Sequence, residues 1–123
     1  MSEIIHQLKI FLESKQRIAW IKDDSMSVYV RKGTRYLNKH LSKTLDIASV
    51  EVEENKRHQG IWTQFLKEAH KINPYQSTFI ENVLNPILEK SLVKNGWKVL
   101  DATLVPPSFW MQKESFSETK FTT

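Results

Sequence analysis

Ile47-Ala48-Ser49-Val50-Glu51-Val52-Glu53-Glu54-Asn55-Lys56-Arg57-His58-Gln59-Gly60-Ile61-Trp62 is the stretch whose reading decides the fold. An apolar strand ends at Val52, a charged loop carries the glycine, and a helix opens at Ile61. A strand running through a glycine loop into a helix leaves unpaired backbone N–H groups at the positive end of the helix dipole, a natural seat for phosphate. A second start follows at Glu81-Asn82-Val83-Leu84-Asn85-Pro86, where Asn85 is placed to cap a helix and Pro86 to occupy its first position.

Working outward, Ser2 caps an amphipathic helix over residues 2–15, with Ile4, Ile5, Leu8, Phe11 and Leu12 at helical spacing. Residues 17–22 and 27–37 read as an antiparallel pair joined at Asp23-Asp24, and Gly33 suggests a bulge or bend. From Thr44 to Glu53 a two-residue period puts Ala48, Val50 and Val52 on one face and Ile47, Ser49, Glu51 and Glu53 on the other. Ile61, Trp62, Phe65, Leu66, Ala69 and Ile72 give the next helix a wide apolar face, ended by Asn73-Pro74. A strand over 77–83, a helix from Asn85 to Gly96, a strand over 97–105 and a short one over 108–112 complete the chain. The expectation is one α/β (α+β) domain over residues 1–112, with a mixed, mostly antiparallel sheet, about three helices and a polar tail over 113–123.

The 123 residues are 40% hydrophobic and 26% charged, the composition of one globular domain with a core. Without cysteine, disulfides, thiolate metal sites and cysteine nucleophiles are excluded. His6, His40, His58 and His70 lack zinc-binding spacing, so no metal is expected. Apolar runs fall short of the ~18 residues of a membrane span, and the first segment is amphipathic rather than a secretory core, so a cytoplasmic protein is expected. A net charge of +4 weakly favours acidic partners.

With these elements placed, residues 44–112 resemble the GNAT superfamily of N-acetyltransferases, in its compact phage and bacterial form. The family's cofactor loop is Gln or Arg, two residues, Gly, one residue, then Gly or Ala; Arg57-His58-Gln59-Gly60-Ile61 fits it, five residues after Val52. Its second element, Asn followed eleven positions later by a Gly-aromatic pair, is matched by Asn85 and Gly96-Trp97. The resemblance implies acetyl-CoA as cofactor and an amine as acceptor. Val50 and Val52 would offer backbone groups to the pantetheine arm, the loop Arg57, His58, Gln59, Gly60, Ile61 and Trp62 would border the pyrophosphate, and Asn85 would face the pantetheine or adenine end.

Two positions depart from the family. Trp62 stands where Gly or Ala is usual and reads as the start of the helix's core stripe. Leu92 stands where many members carry a tyrosine acid, leaving the departing thiolate to water or another group. A carboxylate base is implied, and Glu51, Glu81 and Asp46 are equal candidates; His58 reads as a phosphate-side contact or an exposed residue. The other functions in play are a non-catalytic interaction or inhibitor protein of the same fold, and a nucleic-acid-binding module using Tyr29, Arg31, Lys32, Arg35, Tyr36, Lys39 and His40. Partners under the first reading are acetyl-CoA, an unidentified amine-bearing protein or small molecule, and a second copy through the last strands, with no membrane; nucleic acid stays open.

Overall fold

The computed structural model describes residues 2–57 and 59–113. Helix α1 (Glu3–Glu13) leads into β1 (Ile18–Lys22), β2 (Met26–Leu37) and β3 (His40–Val52). One 3-10 turn, Glu54–Lys56, precedes α2 (Ile61–Ile72), followed by β4 (Ser77–Ile80), α3 (Pro86–Lys94), β5 (Lys98–Val99) and β6 (Phe109–Gln112). The six strands form one sheet in the order β1-β2-β3-β4-β6-β5. Only β3 and β4 run parallel, as a strand-helix-strand crossover through α2 requires. The expected mixed, mostly antiparallel sheet with three helices is therefore what the described residues form.

Ser2 caps α1 as its position suggests, its hydroxyl accepting from the Ile5 N–H at 3.4 Å. Ile4, Ile5, Leu8 and Phe11 of α1, Phe65, Leu66 and Ala69 of α2, and Leu88 and Leu92 of α3 share one core with Val28, Val30, Leu45, Ile47, Ile80 and Phe109 of the sheet. The opposite sheet face carries a smaller cluster of Leu37, Phe79 and Trp110. Farther along that face Trp20 stays 57% exposed with its ring 5.2 Å from Tyr29, so it is a surface aromatic, while Trp97 is half-buried beside His70. At the end of α2, Lys113 Nζ donates to the carbonyls of His70 and Lys71 at 2.6 and 2.8 Å, satisfying groups that the helix leaves open.

Four local expectations are corrected. Gly33 lies in regular ladder opposite Thr44, and the irregularity falls between Tyr29 and Val30, where Ala48 is the extra residue of β3. That bulge reverses the side-chain alternation, so Ile47 shares the core-facing side with Val50 and Val52 rather than opposing them. Strand β4 ends at Ile80 instead of continuing to Val83, because Asn82 adopts φ 51° and turns the chain away. The stretch 97–105 holds only the two-residue β5, and Leu100, Leu104 and Val105 are exposed on a turn-rich segment rather than a strand.

Strands β2 and β3 extend past both neighbours as a hairpin closed by Asn38 (φ 49°) and Lys39 (φ 68°), a two-residue turn with both residues left-handed. Asn tolerates that region, but a lysine Cβ is strained there. Replacing Lys39 with glycine is expected to stabilise the fold by about 0.5–1 kcal/mol, read as a higher urea midpoint at unchanged slope. No helix among the described residues is long and apolar enough to cross a membrane.

Candidate functional site

The site arises where β3 and β4 stop pairing. Their parallel ladder runs from Thr44 and Ser77 to Ile47 and Ile80, and the Glu81 N–H to Ile47 carbonyl bond, 3.0 Å, is its last rung. Beyond it Asn82 turns β4 aside, held by its own N–H donating to Ser108 Oγ at 3.0 Å. Strand β3 continues alone to Val52. In an antiparallel ladder alternate residues point their backbone groups to opposite sides. The Glu53 N–H donates to Ser25, on the β2 side, so Val50 and Val52 direct theirs across the lane that β4 has vacated. Arg57 Nε donates to the Val52 carbonyl at 3.1 Å, as that orientation requires.

The vacated lane is the floor of a cleft of about 1170 Å³, bordered by the end of β3, the first residues of α2 and the segment from Ile80 into α3. At its α2 end Gly60 has φ 73°, a conformation that glycine takes without penalty, and a Cβ there would meet nothing within 4 Å. Among the described residues no side chain caps this helix, so its first N–H groups stay available at the positive dipole end. Lys56 and Arg57 line the cleft with Gly60, Ile61 and Trp62. Gln59 is turned into its own loop, its amide donating to the Asn55 carbonyl at 3.2 Å; His58 lies outside the described residues. Trp62 borders the cleft and also stacks on Phe65, ring centroids 5.9 Å apart, so it is at once a wall of the site and a core contact. Asn85 caps α3, its Oδ1 accepting from the N–H groups of Ile87 and Leu88, and borders the cleft from there. Leu92 is buried in the core.

The three sequence-nominated carboxylates are placed differently. Glu51 is exposed on the cleft, on the side of the sheet away from the Val50 and Val52 side chains. Glu81 stands where the strands part, its Oε2 accepting from Arg31 at 2.8 Å. Asp46 does not line the cleft. It is buried, accepting from Thr44 Oγ1 at 2.6 Å and from Arg35 Nη2 at 3.0 Å, with Arg31 at 3.6 Å. Arg35 also lies 3.8 Å above the Phe79 ring. The sequence presented these arginines only as candidate nucleic-acid contacts, and their pairing with Asp46 and Glu81 escaped it. The signal was present, since β pairing sets Arg31 directly opposite Asp46 and the two-residue period puts Arg35 on the same face, but register had first to be known.

Gly33 matters here through absence of bulk. A Cβ at that position would lie 2.7 Å from Asp46 Oδ2 and 3.0 Å from Thr44 Oγ1. Gly33→Ala is expected to displace the carboxylate and destabilise the fold by about 1–3 kcal/mol, read by urea unfolding.

The hairpin cations do not gather on one surface. Arg31 and Arg35 are engaged with acids on the open sheet face, whereas Lys32 points to the helix side and donates to the Ser14 carbonyl at 2.5 Å, 4.8 Å from the Phe11 ring centre. Burial, helped by nearby Lys43, pushes the Lys32 ammonium below the ordinary lysine range.

Comparison with protein families and with curated proteins finds no match. Nine chains of solved structures do match. One, from the crystal structure of the KacTA–DNA complex, superposes with a TM-score of 0.54 at 14% identity, over 95% of this chain and 85% of that one. The likeness is one of fold. It spans nearly the whole chain, so the α1 and hairpin region belongs to the same architecture as residues 44–112.

Proposed function

We propose that this protein is a GNAT-type acyltransferase that binds acetyl-CoA in the cleft between β3 and β4 and moves the acetyl group to an amine. One observation carries the reading: the sheet opens beyond Ile47 and Ile80, and the backbone groups of Val50 and Val52 line the opening beside a glycine-started helix. That arrangement suits a ligand with an extended amide-bearing arm and a pyrophosphate. Val50 and Val52 would pair with the arm, while the first N–H groups of α2, Lys56 and Arg57 would meet the phosphates. Gly60 leaves the space that close approach of phosphate demands. When bound, the thioester supplies an activated acyl group and a good leaving group.

Acetyl transfer to an amine needs a free lone pair on nitrogen, so the acceptor's ammonium must lose a proton at the place where the strands part. Glu51 and Glu81 border that place and Asp46 does not. With Leu92 buried in the core, solvent in the open cleft is the proton source for the departing sulfur.

A second reading keeps the fold and drops the chemistry. Trp62 on the cleft wall and the apolar Leu92 favour an interaction protein, and exposed Ile18 and Trp20 on the open sheet face offer it a contact surface. The matched complex includes DNA, which keeps nucleic acid among the partners to be tried. Titration calorimetry with acetyl-CoA separates the readings: saturable one-to-one binding supports the transferase, and no heat supports the interaction protein. DNA binding through hairpin cations would weaken steeply with added salt, whereas acetyl-CoA, with Lys56 and Arg57 as its charged contacts and the rest backbone groups, would weaken far less.

A further inference from the structure

Arg31 is the residue whose partners are least explained by fold alone. It extends from β2 on the open sheet face, lies 3.6 Å from buried Asp46, and donates to Glu81 Oε2 at 2.8 Å where the cleft begins. Asp46 is itself fixed, by Thr44 from its own strand and by Arg35 two rows along β2, and Gly33 between them supplies the room. The chain of contacts therefore runs from an immobile buried carboxylate, through a guanidinium, to a carboxylate bordering the cleft. Arg31 and Glu81 side chains are 31% and 30% exposed, so an acceptor can reach them. Glu81 Oε1 has no hydrogen-bond partner among the described residues.

We infer that Arg31 is a positioning residue: braced by Asp46, it fixes Glu81 through Oε2 so that Oε1 takes the proton of the acceptor's ammonium, and Asp46 acts only through Arg31. This rests on the acetyltransferase reading above. Glu81 removes one proton from nitrogen and later gives it to solvent. The nitrogen lone pair forms the N–C bond to the acyl carbon, the C–S bond breaks with its electron pair leaving on sulfur, and nitrogen's second proton reaches sulfur through water. Glu51, which lacks such a brace among the described residues, does not carry the step.

The inference is tested on the full chain with acetyl-CoA and a simple primary alkylamine as probe, following free CoA thiol against pH, with the acetyl-CoA-induced rise in melting temperature measured on every variant. Glu81→Gln can still accept from Arg31 and is expected to keep the melting rise while losing on the order of 100-fold in turnover at neutral pH. That loss should shrink at alkaline pH, where the amine arrives deprotonated. Arg31→Met should lose about tenfold or more in kcat with the melting rise intact, and Arg31→Lys should recover part of it. As a readout apart from turnover, a double-mutant cycle of Arg31→Met and Glu81→Gln on urea unfolding should show coupling between the two side chains. Wild-type turnover in Glu81→Gln, a pH-independent loss, unaltered kcat in Arg31→Met, or a loss that follows Glu51→Gln instead would each overturn the assignment. Binding of acetyl-CoA without amine-dependent turnover in the wild type would overturn it too. Absence of any acetyl-CoA-induced rise is a different result, and removes the transferase reading itself.

Discussion

Acetyl-CoA at a hundredfold excess over its dissociation constant is expected to raise the melting temperature by on the order of 10 °C. A ligand that binds only the folded state at that excess adds about 2.7 kcal/mol of stability, and a domain near this size gains roughly 3–5 °C per kcal/mol. Gly60→Glu should abolish the rise. The added carboxylate would enter open space at the α2 N-terminus, where phosphate is expected to sit, and repel it. Because any L side chain is strained at φ 73°, the variant also loses about 1 kcal/mol without ligand, and Gly60→Ala is the control. Alanine carries the same strain with no charge, so its melting point should fall while its response to acetyl-CoA persists. A rise retained in Gly60→Glu would place the ligand elsewhere. No rise in the unaltered protein would shift the functional reading to the interaction protein, with Trp62 closing the site.

Asp46→Ala is expected to destabilise the protein by about 3 kcal/mol, lowering the melting temperature by on the order of 10 °C. The substitution strands the Arg35 guanidinium, leaves Arg31 with Glu81 alone, and leaves the fully buried Thr44 hydroxyl without its acceptor. Arg31 and Arg35 side chains are 31% and 28% exposed, so water recovers part of their solvation and holds the loss toward the lower end for a broken buried pair. Asp46→Asn, which keeps the size and one acceptor oxygen, should lose less. Urea unfolding of both variants checks the order. A loss in Asp46→Ala below about 1 kcal/mol would mean that the network is a solvated surface pair with no role in holding β2 against β3.

Much of the fold was legible because the relevant forces act locally along the chain. Ser2 and Asn85 cap the helices they precede, and the stripe from Phe65 to Ala69 marks the buried side of α2. The strand pair before Asn38 followed from alternation and β-rich composition. Strand β4 and the segment after Trp97 were read too long, since apolar content alone does not distinguish a paired strand from a chain that turns away. Gly33 reads in the sequence as a bulge or bend because glycine is usually read through its backbone freedom. Its part here is steric, making room for a carboxylate from the neighbouring strand.

What the sequence by itself determined is the strand, glycine loop and helix that border the cleft, and the presence of three carboxylates, Asp46, Glu51 and Glu81, on or beside the strands that open it. Only the tertiary structure decided which carboxylates reach that cleft. The single extra residue at Ala48 reverses the side-chain alternation, and parallel pairing that stops at Ile47 and Ile80 opens the lane beside Val50 and Val52. Asp46 and Glu81 lie far apart in sequence and are joined through Arg31 of a third strand. The physical reason is that period and capping are written in neighbouring residues, whereas register, and with it the partner of every charge, is set by the packing of the whole sheet.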